Sequence, residues 1–122
     1  MANRLLTKEL VKAFASHQLY SQDEKGEKAV CICVFQIGNI KWYVLEGQQE
    51  GDDFIIYSIV VGMGDTEYGY ASLNEMEQIQ VKTGIPSYPV VKISQDKSFH
   101  PRKLKNIKDE KLQTFLHRMY NK

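Results

Sequence analysis

The residues of this chain that could do chemistry are few, and they lie far apart in the sequence. Asp52 and Asp53 are adjacent carboxylates, the type of group used in acid–base catalysis or in binding Mg²⁺. Adjacent acids in a glycine-rich loop are, however, more often simply solvated. An enzyme would have to bring Asp52, Asp53, Glu67 or His100 together in a pocket that no sequence motif reveals. The sequence therefore favours a non-enzymatic protein.

Two further patterns resemble known sites but do not match them. Gly62 and Gly64 follow a predicted strand, but a third glycine is out of place and another strand follows, so a dinucleotide-binding loop is excluded. Cys31 and Cys33 lie two apart on one predicted strand, so we expect their side chains on the same face, where a disulfide would be strained. Together with three scattered histidines they give no zinc spacing. We expect reduced, buried thiols, no metal and no cofactor.

The elements that must position these residues are organised around the middle of the chain. Residues 54–61 are uncharged and rich in β-branched and aromatic side chains, which is typical of a strand. Residues 62–65 supply glycines for a tight reversal, and residues 68–71 return as a short strand. Ser72 and Glu75 have capping-box spacing, which predicts the start of a helix that ends before Gly84.

One helix is predicted at each end of the chain. Residues 5–18 are expected to be helical behind a Thr7 N-cap, with Tyr20 closing the helix against the core. The C-terminal helix is expected to begin near Lys108 or Asp109. The buried stripe of the first helix is expected to consist of Leu10, Val11, Phe14 and Ala15.

Two more strands precede the central ones. Residues 29–37 and 40–45 read as strands joined by a Gly38–Asn39 turn, and residues 46–53 read as an exposed acidic loop. The fold class is therefore α+β: a four-stranded antiparallel meander packed with an N-terminal, a middle and a C-terminal helix. Residues 90–93 would add a short fifth edge strand. We expect a single domain over residues 1–122.

The length and the charge distribution of the chain restrict which partners are possible. No apolar run approaches the ~20 residues that cross a bilayer, so we expect a cytoplasmic protein with no membrane partner. Residues 42–81 hold eight acids and no lysine or arginine, whereas nine basic and three acidic residues lie from Lys92 onward. The basic segment could contact nucleic-acid phosphates, and the acidic face could mimic a DNA backbone. The candidate nucleic-acid contacts are Arg102, Lys103, Lys105, Lys108 and Lys111.

Several segments, in their order along the chain, resemble a family catalogued as a domain of unknown function. The resemblance covers about residues 5–105 and makes residues 106–122, with the last helix, an extension of this member. That family occurs on plasmids, phages and conjugative elements, so the resemblance implies an accessory gene of mobile DNA. It has no established catalytic residues to carry over. The segments are residues 5–10, 19–20, 42–43 with Glu46, 52–54, 68–70, 72–75, 84–86 and 99–104.

The leading hypothesis is a non-enzymatic module that binds an unidentified protein partner, with nucleic-acid binding as the alternative. Tyrosines are frequent anchors in protein interfaces, and the sheet face away from the helices could expose them; packing within the core is the competing interpretation. Reversing Asp52 and Asp53 to lysine should then abolish partner capture without unfolding. The oligomeric state stays open. The candidate contact surface comprises Glu46, Glu50, Asp52, Asp53, Tyr57, Asp65, Tyr68 and Tyr70.

Overall fold

The computed structural model describes residues 3–121, and an antiparallel sheet of five strands runs through its centre. Two further sheets have two strands each, and short 3₁₀ helices cover Gly26–Lys28 and Leu104–Asn106. In chain order the elements are α1 (Lys8–Ala15), β1 (Val30–Cys31), β2 (Cys33–Ile37), β3 (Ile40–Glu50), β4 (Asp53–Val61), β5 (Glu67–Ser72), α2 (Leu73–Gln78), β6 (Gln80–Lys82), β7 (Val90–Lys92), β8 (Ser94–Gln95), β9 (Arg102–Lys103) and α3 (Glu110–Tyr120).

The α+β class, the three helices and the antiparallel sheet are confirmed, but the sheet differs in detail from the predicted meander. Its strand order is β5-β4-β3-β2-β8, so a fifth strand is present. That strand is β8, which pairs with β2 at Gln36 and Ser94. The segment predicted as the fifth strand forms β7 instead and pairs with β6 in a separate hairpin. A segment this short pairs with whichever strand the tertiary structure brings alongside it.

The predicted loop over residues 46–53 is wrong, because β3 continues to Glu50 before a tight turn at Gly51 and Asp52. The strand crosses a register shift between Val44 and Glu46, and Glu50 then faces Asp53 across the hairpin. Polar side chains at the end of β3 gave a loop-like pattern. The backbone is nevertheless held as a strand by its ladder with β4.

The sheet carries helices on both faces. Alternate residues of the long strands point to opposite sides, so Trp42 and Val44 pack with α1 and α2, whereas Tyr43 and Leu45 pack with α3. We call these the α1/α2 face and the α3 face. Each face therefore contributes to a separate apolar core. None of the helices in the described part of the chain is long and apolar enough to cross a membrane.

The first helix is shorter than predicted, although its cap is confirmed. Thr7 accepts a hydrogen bond from the Leu10 amide at 3.2 Å. Leu10 and Phe14 are buried, but Val11 and Ala15 are exposed because only a narrow stripe of this two-turn helix meets the sheet. The prediction for Tyr20 is wrong: its side chain is 64% exposed and its backbone has a φ of 72°.

The two cysteines are buried and free, as predicted, but they do not share a face. The strand is interrupted at Ile32, so the alternation shifts by one residue. Cys31 packs in the α3 core and Cys33 packs in the α1/α2 core. Burial raises the pKa of both thiols, that of Cys33 to about 12. Neither thiol is therefore primed for nucleophilic chemistry.

Candidate functional site

The predicted acidic surface is divided between the two ends of β4. Asp52 lies in the turn before the strand and Asp65 in the turn after it. Nine strand residues separate the two turns, which corresponds to about 30 Å. Both residues are exposed, as are Glu50 and Tyr70. The exposed acids therefore form two groups rather than one cluster.

Glu46, a member of that predicted surface, is a buried structural residue. Its side chain is only 2% exposed. Its carboxylate accepts hydrogen bonds from the backbone amides of Tyr20 and Gln22, both at 2.8 Å. It therefore holds the loop after α1 against β3, and it is removed from the candidate contact surface.

Gln22 completes this buried polar cluster, and sequence reasoning missed it. Its side-chain amide donates to the carbonyl oxygens of Val30 and Leu45, both at 2.8 Å, and its oxygen accepts from the Val30 amide at 2.7 Å. The loop is therefore tied to the start of β1 and to the middle of β3. Its polar sequence predicted only solvent exposure, and no local signal distinguishes Gln22 from its neighbours.

Asp53 is also structural, since it links the start of β4 to the start of α2. Its carboxylate accepts from the amides of Phe54 (2.6 Å) and Asn74 (3.1 Å) and from the Ser72 hydroxyl. Burial alone would raise the pKa of the Asp53 carboxyl, but these hydrogen bonds outweigh it and lower the pKa. Ser72 caps α2 through the Glu75 amide at 3.2 Å, which confirms that half of the predicted capping box.

Charge reversal at the two adjacent aspartates should therefore have unequal effects. Asp53→Lys removes an acceptor from the α2 cap, and we expect a loss of about 1–2 kcal/mol in the free energy of unfolding. Asp52→Lys changes an exposed turn side chain, so we expect a change within about 0.5 kcal/mol. Urea unfolding followed by the fluorescence of the single, buried Trp42 measures both. Equal effects would contradict the assignment of Asp53 to the cap.

Tyr68 packs against α3 and Tyr57 stacks on Tyr68, so both side chains are only partly exposed. Their rings stack with centroids 5.4 Å apart, and Tyr68 meets Phe115 of α3 edge-on at 5.5 Å. The hydroxyls of Tyr68 and Tyr120 lie 2.5 Å apart. The C-terminal helix, which the resemblance treated as an extension of the domain, thus covers Tyr68, whereas Tyr70 on the same side of the sheet is 55% exposed.

Tyr43 and Tyr68, which both pack on the α3 face, predict a loss of stability at alkaline pH. Burial, followed by a hydrogen bond to Asp109, raises the pKa of Tyr43; burial and the hydrogen bond to Tyr120 do the same for the pKa of Tyr68. The unfolded chain ionises near pH 10. Below about pH 10 both tyrosines are protonated in the folded and the unfolded chain, so their contribution to the free energy of unfolding is fully present. As the pH rises from there toward the folded-state pKa values, the free energy of unfolding falls by about 1.4 kcal/mol per pH unit for each tyrosine.

Tyr43→Phe tests this pH dependence directly. The variant lacks one group that ionises only in the unfolded chain, so its free energy of unfolding should fall less steeply above pH 10 than that of the wild type. Urea unfolding at several pH values from 9 to 11.5 gives both slopes. Identical slopes would show that Tyr43 does not stay protonated in the folded chain.

The residues proposed for an enzyme are not brought together. Asp52 and Glu67 lie at opposite ends of β4, Asp53 caps α2, and His100 lies on the segment before β9. Among the described residues, no group of three histidine, cysteine or acidic side chains could hold a metal ion. A cleft of about 400 Å³ does open beside Tyr57, Tyr68 and Tyr120, but acidic and basic side chains of residues 22–28 alternate along its rim. That mixture matches no single ligand class.

The largest concentration of exposed apolar surface lies elsewhere, on β6, β7 and the turn between them. We call residues 79–92 the hairpin arm. Six of the twelve exposed large apolar side chains in the described chain belong to it. Soluble proteins rarely collect such side chains in one segment unless they contact a partner. The six are Ile79, Val81, Ile85, Tyr88, Val90 and Val91.

The tip of the hairpin arm is ordered by hydrogen bonds. The Thr83 amide donates to Pro89 O at 3.0 Å, and the Thr83 hydroxyl donates to Tyr88 O at 2.7 Å. The same hydroxyl accepts from the Ile85 amide at 3.0 Å. The backbone that carries Ile85 and Tyr88 is therefore preorganised, although Tyr88 is 56% exposed. A segment whose backbone is already ordered loses less conformational entropy when it binds a partner.

The base of the hairpin arm is attached to the core. Ile93, which follows it, is fully buried in the α1/α2 core. The Arg4 guanidinium donates to Ile93 O at 2.6 Å and pairs with the Glu77 carboxylate at 2.9 Å. The arm therefore projects from a fixed point. The sequence did contain a signal for it: apolar side chains interrupted by two prolines, with no acidic residue from Gln78 to Gln95.

The predicted nucleic-acid contacts are all exposed. They lie on or near β9 and the start of α3, and the Arg102 guanidinium stacks over the Phe99 ring at 4.6 Å. Between residues 79 and 108 the chain has one acid, Asp96. Four of the five contacts lie in this stretch, whereas Lys111 directly follows Asp109 and Glu110.

Comparison with known proteins identified a family to which most of the chain matches. The family described as "Protein of unknown function (DUF2958)" matches residues 5–106. Searches of the curated proteins and of the solved structures gave no match. The C-terminal limit of the match lies just before α3.

Proposed function

The chain belongs to the DUF2958 family of proteins of unknown function, and we propose that it is a non-enzymatic protein-binding module. The binding element is the hairpin arm, and the remainder of the chain acts as a scaffold of one domain. We further propose an accessory role for mobile DNA in the cytoplasm, which rests on the resemblance in sequence order described above. The accessory role is tested by identifying the genes that lie next to those of family members, which should belong to plasmids, phages or conjugative elements.

One observation supports the binding role above all others: half of the exposed large apolar side chains lie on one ordered hairpin. In a protein that worked alone, this exposure would be an aggregation risk without a compensating benefit. Tyrosine is one of the residue types enriched at interface hot spots, and Tyr88 lies at an ordered tip. The interface proposed from the acidic residues and tyrosines lacks these properties, since three of its members are buried or packed.

The double variant Ile85→Ser/Tyr88→Ser tests the proposal. Both side chains are exposed, so we expect the variant to fold normally and to lose at least about tenfold in capture of any host protein that the wild type enriches. Capture is measured by quantitative mass spectrometry. Met63→Ser removes an equally exposed apolar side chain from the turn after β4 and should leave capture unchanged. Equal capture by the wild type and the double variant would refute the proposal.

Nucleic-acid binding is the second candidate, supported by five exposed basic residues, four of which lie in a segment without acids over residues 102–108. Reversal of Lys103 and Lys105 to glutamate should then abolish a mobility shift of duplex DNA at low salt, and the wild-type shift should weaken steeply as salt increases. If the wild type gives no shift at low salt, this candidate is eliminated.

A further inference from the structure

The hairpin arm has one apolar face and one mixed face that carries both of its lysines. Residues that lie opposite each other in an antiparallel pair share a face. Val81 pairs with Val91 on the apolar face. On the other face Lys82 pairs with Val90 and Lys92 with Gln80, so the two lysines are diagonal neighbours beside a valine. Diagonal neighbours in a sheet lie about 7–8 Å apart, so the two ammonium groups present a local double positive charge.

No acidic side chain of the described residues forms an ion pair with these two lysines. The ion pair found in the described chain joins Arg4 to Glu77 instead, and both lysines are exposed. Docking of the arm through its valines, Ile85 and Tyr88 would take the nearby ammonium groups partly out of water. Removing an unpaired charge from water is costly, and an opposite charge on the partner reduces that cost.

The edges of the arm are poorly suited to strand addition. Each strand has only three residues, and lysines and Pro89 accompany them, which are features that block pairing with another strand. Recognition by backbone hydrogen bonds along an edge would require a longer unprotected strand. Binding therefore depends on the side chains of the faces and the tip.

Building on the proposed function, we propose that the partner is a protein whose docking site is an apolar pocket rimmed by carboxylates. The pocket receives Ile85 and Tyr88, and the carboxylates face Lys82 and Lys92. Apolar side chains make up most of the exposed arm, which fits a protein pocket better than a row of phosphates. No acid lies between Gln78 and Gln95, so the arm carries only positive charge and a complementary partner surface is negative.

The probe is a displayed library of random peptides. Peptides that bind the full chain are selected, and those that also bind the Ile85→Ser/Tyr88→Ser variant are removed. We expect the enriched peptides to combine aromatic or aliphatic residues with flanking Asp or Glu. In fluorescence anisotropy, Lys82→Glu/Lys92→Glu should weaken their binding about tenfold or more. Peptides with the acids changed to lysine should bind that variant better than they bind the wild type. Lys8→Glu/Lys12→Glu on exposed positions of α1 is the matched control and should leave affinity unchanged.

The outcomes separate this inference from the proposed function. Peptides that need Ile85 and Tyr88 but are neutral or basic, or that bind the charge-reversed arm equally well, would overturn the acidic pocket and leave the binding arm intact. Arm-dependent binding to phosphatidylglycerol vesicles or to duplex DNA, with no peptide enriched, would overturn it in favour of those ligands. If no tested probe depends on the arm, the proposed function fails as well.

Discussion

Gly62→Ala is expected to lower the free energy of unfolding by about 4 kcal/mol or more, and the variant should be largely unfolded if the wild type has ordinary stability. A Cβ atom at this position would lie 2.2 Å from the backbone oxygen of Asn39 and 3.1 Å from the Cα of Ile40. Backbone atoms cannot rotate away as a side chain can. The residue also has a φ of 96°, which alanine adopts only with strain.

Gly64→Ala is the matched control for this prediction. Gly64 lies two residues along in the same turn and has a φ of 74°, but a Cβ there would meet nothing within 4 Å. Only the left-handed backbone penalty applies, so we expect a loss of about 1–2 kcal/mol. Urea unfolding followed by Trp42 fluorescence compares the two variants. If Gly62→Ala costs no more than Gly64→Ala, the close approach of the β2–β3 turn to Gly62 is wrong.

Glu46→Ala is expected to lower the free energy of unfolding by about 3 kcal/mol. The substitution leaves the amides of Tyr20 and Gln22 without the carboxylate that accepts from both, in a site where the side chain is 2% exposed. Hydrogen bonds to charged groups contribute about 1.5–3 kcal/mol each, and a buried donor left unpaired carries a further penalty. Glu46→Gln should lose about half as much, because its amide keeps one accepting oxygen.

Glu50→Gln, on the same strand but exposed, is the control and should change stability by no more than about 0.5 kcal/mol. The comparison also decides between two roles for Glu46. A surface contact residue would tolerate alanine in the free protein and affect only binding, whereas a buried acceptor affects folding before any partner is added. Unchanged stability of Glu46→Ala would return the residue to the candidate contact surface.

Features set by neighbouring residues could be predicted from the sequence. The Thr7 and Ser72 caps, the start of α3 near Asp109, the reversal at residues 62–65 and the strand over residues 54–61 all agree with the structure. The caps depend on a side chain that meets a backbone amide within three residues, the reversal on glycine at a positive φ, and the strand on its own run of β-branched and aromatic residues. Such signals do not depend on where the rest of the chain lies.

The candidate site was predicted less well, because exposure depends on distant contacts. Glu46 resembles the exposed Glu50 in composition and loop-like context, yet only Glu46 receives two amides from a loop more than twenty residues earlier. Tyr68 is covered because α3, which follows it by some forty residues, packs on that face. No pattern within either segment carries that information.

The hairpin arm shows the same division. The sequence by itself determined its composition: apolar side chains, two lysines, two prolines and no acid. Only the tertiary structure decided that β7 pairs with β6 and leaves the main sheet to β8, so that the apolar side chains of the arm face solvent. The physical reason is range: caps, turns and periodicity act over a few residues, whereas burial is decided by which distant segments pack together.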